Sequence, residues 1–180
     1  MKSLLITAAL LGVFAATAQA QTVVKAGSEI GFTSRQMGVP VDGRFTQWDA
    51  TITFDPKAPA AGSVRFSIAT GSASFGATET ETEVKKSAWF DVAAFPQARF
   101  ESSAIRAVGP GRFDVAGQLD IKGRKRDIVV PVTLAGNVAS GSFTIQRLAF
   151  GIGSGEWTDT SMVADEVQVR FKLQLAGLKP

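Results

Sequence analysis

Between Arg112 and Ile121 apolar and polar positions alternate without a slip. Phe113, Val115, Gly117, Leu119 and Ile121 share one side; Arg112, Asp114, Ala116, Gln118 and Asp120 share the other. A period of two gives a strand one apolar and one wet face, which a helix cannot do. The basic turn Lys122-Gly123-Arg124-Lys125-Arg126 follows, with Gly123 able to take the positive φ of a tight reversal. A second strand over 127–134 places Ile128, Val130, Val132 and Leu134 on one face. Arms of about ten residues reach roughly 33 Å, so the predicted hairpin belongs to a tall sheet.

The same period recurs elsewhere. Ile30 and Phe32 alternate within 28–37; Val41, Gly43 and Phe45 open a second strand after the Val39-Pro40 interruption; Ala50, Ile52 and Phe54 mark a third. The turn 55–59 contains two prolines, which cannot donate to a sheet ladder. Val64, Phe66 and Ile68 mark a fourth strand. The pattern then changes at Thr78-Glu79-Thr80-Glu81, predicting a helix of about three turns. Thr78 is its expected N-cap and Glu81 closes a capping box. Glu79, Glu81 and Glu83 suit the positive end of its dipole, Lys85 and Lys86 the negative end. Trp89, Phe90 and Phe95 follow, stopped by Pro96. Strands resume over 98–106 (Phe100 inward) and 142–147 (Phe143 and Ile145 inward). After a loop over 151–162, Val167, Val169, Phe171, Leu173 and Leu175 alternate to the end. About nine antiparallel strands and one helix argue a closed barrel, which removes the exposed edges that long strands would otherwise offer.

The N-terminus adds a compartment. Met1-Lys2, an apolar run over 4–16 and Ala18-Gln19-Ala20 have the form of a secretory signal peptide, residues 1–20, cut before Gln21. Residues 21–180 are then expected to form one barrel domain, working in the periplasm or outside the cell. A net charge of +3 is too small an excess to suggest nucleic acid as a partner. The chain has no His, Cys or Tyr, so Ser-His-Asp and thiol chemistry and the commonest metal ligands are missing. No enzyme activity, cofactor or metal is expected. Thirteen Phe without a single Tyr use aromatic bulk for apolar surface alone.

Four segments together resemble the YceI-like proteins: IGFTSRQMGVPVDGRF (30–45), WFDVAAFPQARFESSAI (89–105), VAGQLDIKGRKRDIVVPVTL (115–134) and QRLAFGIG (146–153). The resemblance implies a secreted, all-β, antiparallel lipocalin-like β-barrel of about eight strands with one short helix. It also implies a polyisoprenoid lipid in the interior and no catalysis. Gln36 stands where the family commonly has a His, so an amide that cannot titrate replaces an imidazole.

Ile30, Phe32, Phe45, Phe54, Phe66, Phe100, Phe113, Val115, Leu119, Val130, Phe143, Val169 and Phe171 are the inward set. They can line a ligand tunnel or fill the barrel as core, since about eight strands allow either. Gln36, Arg44, Trp89, Phe90, Arg147 and Trp157 are the candidates for the mouth or a lipid head group. Guanidinium suits phosphate or quinone oxygens; the family motif supports Arg147, whereas Arg44 is more readily read as solvated. The aromatic cluster at 89–95 can be a lid or a plug. The glycines over 151–155 lack the Lys and following helix of a phosphate loop. Two function classes stand open. In one, the protein holds a long isoprenoid chain (a polyprenyl lipid or an isoprenoid quinone) for transport, storage or sequestration. In the other, a solid-cored scaffold binds a protein partner through its loops or the basic turn 122–126. That turn is also a candidate contact for an anionic membrane surface, and a homodimer is left open.

Overall fold

Alternation of period two extends through nearly every segment of the chain, and in the computed structural model, which describes residues 20–178, those segments pair into one sheet. The candidate leader lies outside the described residues except for Ala20. Ten strands are present among the described residues: β1 (Ala20–Gln36), β2 (Val39–Phe45), β3 (Trp48–Thr53), β4 (Ser63–Ala69), β5 (Ala73–Ser74), β6 (Gln97–Gly109), β7 (Arg112–Ile121), β8 (Arg124–Ala135), β9 (Val138–Gln146) and β10 (Glu166–Ala176). Their order is β10-β9-β8-β7-β6-β4-β3-β1-β2-β5, and β10 pairs back onto β1. Eight antiparallel strands therefore close a barrel, while β2 and β5 extend from the upper half of β1. No helix among the described residues is long and apolar enough to cross a membrane.

The hairpin read from the sequence is present with continuous pairing from Arg112 with Thr133 to Ile121 with Arg124. Its inward positions Phe113, Val115, Leu119, Ile121 and Val130 are buried. The first strand is longer than its alternation indicated, because Ala20 to Ser28 joins it through an irregular stretch. Pairing with β10 slips between Val24 and Glu29.

The helix α1 (Thr78–Glu83) is shorter than expected and is capped differently. Ala77 is its N-cap and Thr78 makes no capping bond. The Glu81 carboxylate turns back instead, accepting bonds from Ser74 Oγ at 2.8 Å and from the amides of Phe75 and Gly76 at 3.0 and 3.2 Å. Those bonds hold its acid below the usual glutamate range. Beyond α1 the chain coils through residues 84–96, and its aromatic side chains pack across one barrel end. Phe32, Ala73 and Val84 form a buried cluster there with Phe45, Phe75, Trp89 and Phe90 packed on it.

Candidate ligand cavity

The interior below that aromatic cluster is not filled. A cavity of about 140 Å³ runs inside the barrel, and every residue that lines it is apolar. Each wall strand contributes alternate side chains: Ile30 from β1, Ile52 from β3, Val64, Phe66 and Ile68 from β4, Phe100 and Ile105 from β6, Phe113, Val115 and Leu119 from β7. Val130, Val132 and Leu134 of β8, Ala139 and Phe143 of β9, and Val169, Phe171, Leu173 and Leu175 of β10 complete it, with Phe54 just beyond β3.

Of the inward set predicted from sequence, all but Phe32 and Phe45 line this cavity. Those two rings lie 5.1 Å apart in the cluster that covers the barrel end, Phe32 against Phe75 at 5.2 Å and Phe45 against Phe90 at 6.2 Å. They share the inward face of their strands but sit above the lumen, where α1 and residues 84–96 cross it. The lining residues missing from the predicted set, such as Ile52, Val64, Leu173 and Leu175, continue the alternation of strands already recognised. The same period would have named them.

The predicted mouth residues do not form one group. Gln36 and Arg44 are exposed on β1 and β2, Gln36 bridging to Val163. Trp89 and Trp157 meet at 5.3 Å between ring centres, and the buried indole Nε1 of Trp89 has no hydrogen-bond partner among the described residues. Phe90 packs beside them in the end cluster.

Arg147 is the largest departure from the sequence reading. Its side chain is 1% exposed, and all five N–H groups donate to backbone carbonyls. Nε donates to Ala164 (3.0 Å), one terminal nitrogen to Ile152 (2.9 Å) and Gly153 (3.2 Å), the other to Trp157 and Val163 (both 2.6 Å). Every donor that a head group would need is already engaged. Burial weakens the hold of the guanidinium on its proton, while the Asp165 carboxylate acts in the opposite direction. The residue ties the loop 147–165 across the barrel end and gathers carbonyls that would otherwise be buried without partners.

The basic turn is partly employed in the same closure. Lys122 Nζ donates to the carbonyls of Ser87 (2.7 Å) and Gly151 (2.9 Å), and burial lowers its pKa. Phe95 packs over Gly123 and the Arg124 guanidinium over Gly151. The aromatic stretch, the loop 147–165 and the turn 122–126 thus interlock as a stopper over one end.

Comparison with known proteins agrees with this architecture. The BcnA protein of Burkholderia cenocepacia is 41% identical, with a TM-score of 0.81 over 86% of this chain and 99% of that one. A polyisoprenoid binding domain from Saccharophagus degradans, implicated in plant cell wall breakdown, shares the fold at 18% identity, with a TM-score of 0.65 over 86% of this chain and 97% of that one. A UPF0312 protein of Pseudomonas savastanoi pv. phaseolicola is 31% identical over 96 residues, 53% of this chain; the aligned part spans about half the length of that relative. The model of the YceI-like domain matches residues 21–175, so the chain belongs to the YceI-like family.

Proposed function

We propose that this protein holds a long apolar lipid in the barrel, an isoprenoid chain such as a polyprenyl lipid or an isoprenoid quinone. In this reading it is a periplasmic carrier or sequestering protein and not an enzyme. The observation that carries the reading is the cavity itself: a lumen inside the barrel whose whole lining is hydrocarbon and aromatic. Such a lining favours an apolar chain through area removed from water and offers polar substrates nothing to bind. The Saccharophagus relative is named for polyisoprenoid binding, which supports the same ligand class here. With the donors of Arg147 engaged, the reading rests on the chain of the lipid and not on its head group. The void also weighs against the solid-cored scaffold, which has no use for an empty apolar lumen.

The test is organic extraction of purified protein followed by mass spectrometry, together with uptake of an added isoprenoid quinone by stripped protein. A long apolar lipid in the extract, or saturable quinone uptake, is expected. Neither extracted lipid nor uptake in repeated preparations refutes the proposal.

A further inference from the structure

The barrel wall is not uniformly laced. β1 and β3 meet through only two residue pairs, Ala20 with Thr53 and Gln21 with Ile52. From Gly31 upward the same edge of β1 is taken by β2. Among the described residues no strand pairs with that edge over 22–30, although the opposite edge pairs with β10. The register break between Val24 and Glu29 falls in this stretch and pushes residues 25–28 out of the ladder. At its crest Gly27 has φ +87° and open space where a Cβ would stand. The wall therefore has a seam with no backbone ladder across it.

Lys25 bridges the seam. Lys25 of β1 donates from Nζ to the Trp48 carbonyl at the start of β3, lies 3.5 Å from the centre of the Trp48 ring, and stands 3.5 Å from Asp49 Oδ1. Trp48 belongs to the same buried cluster as Ile30, Ile52 and Leu173, three residues of the cavity lining. Behind the lysine and the indole, then, lies the lumen.

We propose that the β1–β3 seam is the entry site for the apolar chain, a lateral slot in the barrel wall latched by Lys25 on Trp48 and Asp49. The proposal rests on the lipid-binding reading above and assigns its route. Relative cost favours the seam over the stoppered end. Opening the stoppered end breaks the five bonds of Arg147, three of them buried, and both bonds of Lys122. At the other end Phe54 and Phe113 meet edge-on, 4.9 Å between centres. Parting the seam over 22–30 breaks no strand pairing; it gives up one hydrogen bond, a cation–π contact, an ion pair whose side chains are 52% and 93% exposed, and part of the apolar packing that Trp48 shares with Ile30. Exposed ion pairs are weak, and a cation over an indole at such a site adds modestly. The latch is strong enough to keep the slot shut and weak enough to be released by thermal motion. Lys25 is accordingly a positioning residue that sets the rate of exchange, not the depth of binding.

The test measures exchange of N-phenyl-1-naphthylamine by stopped-flow fluorescence. Lys25→Ala is expected to raise both association and dissociation rates about five- to tenfold, as the strength of an exposed ion pair and a cation–π interaction implies, with Kd unchanged within about twofold. Lys25→Arg, which keeps the cation, is expected to restore slow exchange. Asp49→Asn gives a smaller acceleration without touching β1, and thermal melting controls for folding. Unchanged rates in a folded Lys25→Ala protein overturn the proposal. If the unaltered protein takes up no probe, the lipid-binding reading fails. The latch is then decided by acrylamide quenching of tryptophan emission. Lys25→Ala increases quenching if the lysine shields Trp48, and unchanged quenching overturns the proposal.

Discussion

The size of the cavity fixes how much of a ligand it can reward, and a chain-length series reads that directly. At about 10–15 Å³ for each water-sized group, the 140 Å³ lumen holds roughly ten methylene-sized groups. Each methylene moved from water into hydrocarbon contributes about 0.8 kcal/mol, which is roughly a fourfold change in Kd. In a series of n-alkanols from hexanol to hexadecanol, affinity should therefore rise about fourfold per carbon and level off near ten carbons. Competition against N-phenyl-1-naphthylamine measures it. The matching perturbation is Ala139→Leu. Ala139 is 8% exposed and lines the lumen on β9. Its replacement adds three carbons to the lining, so the break should fall about three carbons earlier. Long chains should then bind weaker by about 2.4 kcal/mol, roughly sixtyfold, while short ones change little. A series that rises at the same slope through hexadecanol in both proteins, or one with no slope at all, refutes the reasoning.

Three further outcomes follow from the same structure. Arg147→Ala strands three buried and two half-buried carbonyls and should lower unfolding free energy in urea by about 3–5 kcal/mol; a loss below about 1 kcal/mol would show that the loop 147–165 does not depend on it. Gly141→Ala sets a Cβ against the Pro131 carbonyl oxygen and 2.7 Å from the Phe171 ring, so it should cost about 1–3 kcal/mol and lower probe capacity by driving that ring inward, read by thermal melting and fluorescence titration. The Glu81 acid is held below its ordinary value of 4.5 by Ser74 and the amides of Phe75 and Gly76; a carboxylate with a lowered folded pKa adds stability above 4.5 that is lost as pH falls, so Glu81→Gln should flatten the decline of the urea midpoint below that pH.

What the sequence made legible was whatever a single strand records about itself. The alternation of β7, β8 and β10 predicted strand, face and six of the lining residues, because burial on one side leaves a period of two in the chain. Residues 20–28 escape such a reading because the strand leaves its ladder between Val24 and Glu29 and carries a polar residue, Gln21, at a buried position, so no apolar period survives. β5, two residues long, is too short to carry a pattern. The helix shows the limit of local rules. A capping box was written in Thr78 and Glu81, but Ser74, Phe75 and Gly76 offered the carboxylate three donors and took it. For Arg147 the residue type suggested an anion. Its real partners are carbonyls of residues 152–164, and their convergence is a property of a folded loop that no spacing announces.

Why an eight-stranded barrel with this many phenylalanines keeps an open lumen has an answer in its glycines. Barrels of this size have interiors that side chains can fill, and the Phe rings point inward. Yet Phe32 faces Gly43 across the β1–β2 pair and Phe171 faces Gly141 across β10–β9. Phe100 reaches Gly117 on the neighbouring β7. At each of these glycines a Cβ would come within 2.7 Å of the ring. A ring that finds a bare backbone beside it lies along the wall, covering the glycine, instead of projecting toward the axis. For Phe100 and Phe171 the result is a flat aromatic panel on the cavity lining; for Phe32 it is a base for the end cluster. The inward bulk and the missing side chains are therefore one device. Phenylalanine supplies apolar surface, glycine supplies the recess that receives it, and the space left along the axis stays available to a chain that the wall itself does not provide.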